Sequence, residues 1–307
     1  MAATGTAGDG VGATSRLNGV IGALEAGLPA FMAFSRPERD EAAALGSSDL
    51  DGVLFEMEHT PFSPRDLRDA LNYLVDRRRL VERGTLAPPV TPFARIPANG
   101  AEMNQWQAKQ VLDMGVYGVV WPHVATASQA ENAVAACRYA RPVALSGHPV
   151  GRRGDGPAIA ARYWGLGQQE YYARADVWPL NPAGEIMVML MIESVEAIDA
   201  LPEILQVPGV GAIMIGEGDL SQQLGHPRDY DHPAVRREVA RVLGAAARAG
   251  VPVAHPHVGP ANLEQVLAAG FRILCTTPTR SFAALERGRA IAPRDLARRD
   301  PARPGGG

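Results

Sequence analysis

Four polar side chains close apolar runs, and their types suit work on a carbonyl compound. Glu193 follows EIMVMLMI, and Asp219 follows GAIMIG by a short turn. On neighbouring strands these carboxylates would offer hard oxygen ligands and leave coordination positions open, which suits Mg2+ or Mn2+ better than a closed structural site. A 2-oxo acid can chelate such an ion through its keto and carboxylate oxygens, while a guanidinium neutralises charge as an enolate develops. Arg95, at the end of PFAR, is that guanidinium, and His59, just past GVLFEME, is the imidazole placed to move a proton. Glu56 and Glu58 close the same run. A carboxylate after a strand is commonly a helix cap or salt-bridge partner; the joint placement is what points to metal-assisted chemistry.

For these groups to meet, the runs they close must be strands that open on one face. Short β-rich runs alternate with helical periodicity from Pro29 to about Ile291. The runs are AFMAF (30–34), GVLFEME (52–58), PFARI (92–96), GVVWP (118–122), EIMVMLMIE (185–193), GAIMIG (211–216), PVAHP (252–256) and FRILCT (271–276). Their number predicts an α/β protein with one domain, a (β/α)8 TIM barrel over 18–299, whose catalytic groups lie at the C-terminal strand ends. After the second run Ser63 can cap a helix, Pro64 fits its first position, and Leu67, Leu71, Leu74 and Val75 share a face. Gly115, Gly250 and Gly270 mark helix-to-strand junctions.

Residues 143–184 break the rhythm as a long insertion. Its stretch from Gly147 to Gly156, with Arg152 and Arg153, matches no phosphate-binding fingerprint and reads as a lid or subunit contact. Tyr163, Trp164, Tyr171, Tyr172 and Trp178 read as interface anchors ahead of a surface that stacks on substrate. His123, His148, His255 and His257 read as pocket-lining or hydrogen-bonded residues, not ligands. Segments 1–17 and 300–307 are Gly-, Ala- and Pro-rich and are expected to be disordered.

The 307-residue chain has 46% hydrophobic and 21% charged residues, enough to bury a full core. A net charge of −3 argues against nucleic acid or anionic lipid as partner. No leader or membrane span is evident, and Cys137 and Cys275, without metal-finger spacing, suit a reducing cytoplasm and a packing role.

From about Gly27 to Ile291 the chain resembles the HpcH/HpaI family, class II 4-hydroxy-2-oxoheptanedioate and 2-keto-3-deoxy sugar acid aldolases. Four ordered segments carry the resemblance: GVLFEMEHTP, ARIPANG, MLMIESVEAI and IGEGDLSQQLGHP. It implies a lyase in which Glu193 and Asp219 bind Mg2+ or Mn2+, with Co2+ as a further candidate. Arg95 would bind and polarise the pyruvyl oxygens, His59 would be the acid/base, and Asp113, in VLDMG, would support that histidine. The turn from Gly216 to Asp219 would hold the substrate carboxylate through backbone N–H groups, Gly218 foremost. The resemblance also implies a homo-oligomer, often a hexamer exchanging C-terminal helices, for which SFAALERGRAIA from Ser281 is the candidate.

Three departures stand near the chemistry. Met191 replaces a common Gln and cannot donate a hydrogen bond to the keto acid. Glu56-Met57-Glu58 replaces Asp-Gly-Glu and makes that corner bulkier, and Gly216-Glu217-Gly218 replaces Gly-Pro-Ala and adds a charge. The leading expectation is cleavage or formation of 4-hydroxy-2-oxo acids from a 2-oxo acid and an aldehyde. Its rivals are an oxaloacetate-type decarboxylase that couples the resulting enolate, and a noncatalytic 2-oxo acid binding or assembly subunit.

Overall fold

In the computed structural model of the chain, residues 16–141, 149–277 and 283–291 are described. The segments expected to be disordered therefore lie outside, apart from Arg16 and Leu17, as do His148, Ser281 and the start of the glycine-rich stretch.

Each of the expected runs forms a strand: β1 (Ala30–Ser35), β2 (Gly52–Glu56), β3 (Thr91–Arg95), β4 (Gly118–Trp121), β5 (Ile186–Ile192), β6 (Ala212–Ile215), β7 (Val253–His255) and β8 (Ile273–Thr276). All neighbours pair in parallel, β8 returns to β1, and β4 pairs directly with β5 across the insertion, Gly118 opposite Met187. The eight strands therefore close into a (β/α)8 TIM barrel, a single domain. A two-residue strand, Val177–Trp178, adds beside the start of β5.

Alternation along each strand sorts the core into two shells. Met32, Leu54, Phe93, Val120, Met189, Met191, Met214, Ala254 and Cys275 fill the barrel, and their neighbours in sequence pack outward against the helices. The methionines are flexible enough to fill an irregular interior. The helix Gly19–Glu25 adds Val20 and Ile21 to the inner shell and so plugs the N-terminal end of the barrel. Asn18 caps it, accepting from the Val20 and Ile21 amides, while Glu185 accepts from the Leu17 and Asn18 amides. Leu17 is thus an ordered, buried residue.

The helix after β2 runs Pro64–Leu74 with Ser63 accepting from the Asp66 amide, and buries Leu67, Ala70, Leu71 and Leu74. Val75 differs from expectation: it is the extended residue that ends the helix. Gly115 and Gly250 end their helices with left-handed backbone, where a Cβ would be strained. No described helix is long and apolar enough to cross a membrane.

Candidate active site

With the N-terminal end plugged, the C-terminal mouth is where side chains can meet a substrate. The period of two decides which ones. Phe34, Glu56, Arg95 and Glu193 each stand two residues beyond an inward-facing residue, namely Met32, Leu54, Phe93 and Met191. They form the layer above the barrel core, and the β2–β3 register sets Glu56 opposite Arg95.

One side of the mouth is built around Arg95. Its Nε donates to Glu56 Oε2 at 2.7 Å and a terminal nitrogen donates to the same oxygen. Glu56 Oε1 accepts from the Glu58 and His59 amides at 2.8 and 2.9 Å, so one carboxylate ties β3 to the turn after β2. Arg95 Nη1 lies 3.0 Å from Glu58 Oε2 and donates to Met191 Sδ at 3.6 Å, while its guanidinium sits 5.3 Å from the Phe34 ring centroid. Arg95 is thereby fixed in a plane between a thioether and an aromatic ring. His59 projects from this corner with a side chain 69% exposed and Nε2 3.5 Å from Glu58 Oε2. Burial pushes the Glu58 carboxyl above its ordinary range, with Arg95 opposing. Met57 does not crowd the corner, because it packs fully buried in the outer shell.

The other side holds the carboxylates. Glu193 is 3% exposed at its side chain, Asp219 is exposed, and His123 joins them: one donor atom from each lies within 4.8 Å of the others. His123 has left-handed backbone, φ 52°, and its amide donates to Glu193 Oε1 at 2.6 Å. Burial raises the Glu193 carboxyl above its usual range; His123 opposes this and the charges of Glu58 and Asp219 add to it. A divalent cation would offset the mutual repulsion of such a carboxylate pair.

Asp219 lies in the first turn of the helix Glu217–Gln223, whose first backbone bond runs from Leu220 to Gly216. Standing ahead of the first helical bond, the Gly218 amide is without an acceptor inside the helix. The Gly216 amide is not, since it donates to the Ile192 carbonyl at 3.0 Å. Gly216 acts by its size: a Cβ there would overlap the Glu193 side chain.

Several expected participants lie elsewhere. Asp113 is paired with Arg153 at 2.8 Å, and among the described residues the carboxylate within ion-pair distance of His59 is Glu58. Arg153, buried between Tyr139 and Tyr171, anchors the insertion to the barrel, so its part of the glycine-rich stretch is neither a lid nor a phosphate loop. Trp164 and Tyr171 are not interface anchors either. Trp164 stacks on Tyr117 at 4.1 Å and donates to the Gly115 carbonyl, and Tyr171 packs edge-on against it. His255 faces the outer shell, its Nε2 3.7 Å from Glu217 Oε2, and His257 stacks on Tyr230. Both cysteines are buried, their thiols pushed up to about 12 by desolvation.

Known proteins share this arrangement's setting. The family model described as HpcH/HpaI aldolase/citrate lyase matches residues 31–276. A hydroxypyruvate/pyruvate aldolase of Paraburkholderia phytofirmans is 30% identical over 76% of this chain and 80% of its own. A 2-keto-3-deoxy-L-rhamnonate aldolase of Klebsiella pneumoniae is 32% identical over 75% of this chain and 74% of its own. Both are named aldolases, which are carbon–carbon lyases. The crystal structure of an HpcH/HpaI aldolase/citrate lyase family protein from Burkholderia cenocepacia superposes with a TM-score of 0.68 at 27% identity, covering 86% of this chain and 93% of that one. With the family model spanning the barrel from β1 to β8 and the segments around Arg95, Glu193 and Asp219 all inside it, the chain belongs to the HpcH/HpaI aldolase/citrate lyase family.

Proposed function

We propose that this chain is a divalent-metal-dependent aldolase that makes or breaks the C3–C4 bond of a 4-hydroxy-2-oxo acid. The observation that carries the reading is the meeting of Arg95, Glu193 and Asp219 at one barrel mouth, with His59 at its edge. The residues fit the ion: hard carboxylate oxygens lie within one coordination sphere's reach, and one of them is buried where its charge is penalised. Glu193 and Asp219 would hold Mg2+ or Mn2+, with Co2+ a third candidate. When bound, the cation supplies electrophilic polarisation of the 2-oxo acid's oxygens.

The protein's own groups do the rest. Arg95, held flat by Glu56 and Glu58, neutralises charge that develops on the 2-oxo group. Gly218 N–H binds the substrate carboxylate. His59, exposed at the rim, takes the proton of the C4 hydroxyl; the C3–C4 electron pair moves toward C2 as the aldehyde leaves, and the proton is returned at C3 to give a 2-oxo acid. The names of the two relatives, which act on 2-keto-3-deoxy-L-rhamnonate and on hydroxypyruvate or pyruvate, support this substrate class. A decarboxylating reading is favoured only by Met191, which offers the bound acid no hydrogen-bond donor. We further assign the enzyme to the cytoplasm as a homo-oligomer.

The test is turnover of a 4-hydroxy-2-oxo acid and of oxaloacetate by metal-stripped protein before and after adding Mg2+ or Mn2+, with 2-oxo acid, aldehyde and CO2 quantified. Metal-restored aldehyde release is expected. Release of CO2 alone would favour the decarboxylase, and no release from either substrate would overturn the reading.

A further inference from the structure

We propose that His123 is a third side-chain donor at the cation site, which makes it a site of two carboxylates and one imidazole and turns its preference from Mg2+ toward borderline ions such as Co2+ and Zn2+. The inference rests on the metal-dependent reading above.

The placement of His123 comes from its backbone. Strand alternation alone would send this side chain away from the mouth, because Val120 faces inward and His123 is an odd number of residues beyond it. The left-handed φ of 52° reverses the chain just after Pro122, and the amide bond to Glu193 fixes the reversal. Nδ1 then lies 3.4 Å from Glu193 Oε1. Ligand atoms at right angles on an ion with bonds near 2.1 Å are about 3 Å apart, so these two are spaced as neighbours in one shell.

The other ring nitrogen supplies an independent observation. Nε2 faces Glu58 Oε1 at 3.9 Å, and the Glu58 side chain is nine-tenths buried, its other oxygen held by Arg95 Nη1 at 3.0 Å. A metal-ligating imidazole typically hands its second N–H to a carboxylate, which fixes its tautomer and raises its basicity. Glu58 stands where that carboxylate belongs. Neither His255 nor His257 has such an arrangement, as one faces the helices and the other stacks on Tyr230. An imidazole nitrogen gains more from Co2+ or Zn2+ than from Mg2+, which favours oxygen.

Full-length protein loaded with Mn2+ should show nitrogen hyperfine coupling in electron spin-echo spectra. Titration of metal-stripped protein should give tighter binding of Co2+ than of Mg2+. His123→Asn is the variant of choice, since Asn tolerates left-handed backbone. It should abolish the nitrogen coupling and weaken Co2+ by at least roughly 10-fold, the loss typical of even an outer partner, while changing Mg2+ by no more than about threefold. Glu58→Gln should keep the nitrogen coupling. Absence of coupling in the Mn2+-loaded wild type, or equal loss of Co2+ and Mg2+ in His123→Asn, overturns the proposal. The measurement is independent of turnover: coupling without aldehyde release would leave this inference standing and remove the aldolase reading.

Discussion

Glu193 is held in a position that is costly without a cation. Its carboxyl is raised above the usual range by burial, so the metal-free protein gains stability from it below about pH 4.5 and loses that contribution as pH rises through the folded-state value. Glu193→Gln should therefore unfold at a higher temperature than wild type when both are metal-free near pH 8, and the order should reverse when divalent ion is added; calorimetry with and without chelator would show either. The same variant should lose roughly 10³-fold or more in metal-dependent turnover. His59 differs because its side chain is exposed and, among the described residues, its imidazole lies within ion-pair distance of Glu58. For His59→Ala we expect kcat/KM to fall roughly 10²- to 10⁴-fold with metal affinity and melting temperature unchanged, and an equal loss of metal affinity would move His59 into the metal shell. Glu193, Asp219, Arg95 and His59 were legible because each closes a run of strand type. Glu58 was visible but had no assigned duty. His123 was read only as a pocket-lining or hydrogen-bonded residue, because the backbone reversal that brings it beside Glu193 is not encoded in strand alternation.

The helix Glu217–Gln223 links the site to the outer shell. At its first position Glu217 is buried beside His255, and burial pushes its carboxyl up to about 7, with the charge of Asp231 adding to the rise. A raised acid contributes stability that is complete below about pH 4.5 and lost as pH climbs through about 7. Glu217→Gln should make the metal-free protein more stable than wild type at pH 8 by up to about 3 kcal/mol, with the difference vanishing below pH 4.5. Parallel pH–stability curves for the two proteins would show that Glu217 titrates normally. His255 works in the opposite direction: desolvation lowers it to about 4, so its contribution is present above pH 6.5 and lost as pH falls toward 4. The strands and the Ser63-capped helix could be read in advance, since periodicity and caps are local. The insertion could not, because its aromatics look alike in sequence whether they meet a partner or, as Trp164 does, the barrel's own Tyr117.

One closed sheet with two concentric apolar shells packs the whole molecule around itself, and we expect it to unfold as one unit. Removing Trp164, which joins the insertion to that unit, should lower the whole unfolding transition: Trp164→Ala should cost about 3–5 kcal/mol of unfolding free energy, measured by denaturant titration, without separate melting of the insertion. The proposed self-association would be read by light scattering as an integral multiple of the chain mass. The two glycines flanking Glu217 have unequal consequences for anyone wishing to redesign this enzyme. Gly216 is forbidden ground, because any side chain collides with Glu193. A Cβ on Gly218 would meet nothing within 4 Å. Libraries aimed at new acceptor aldehydes should be randomised at Gly218, where added bulk reshapes the entrance while leaving the carboxylates undisturbed.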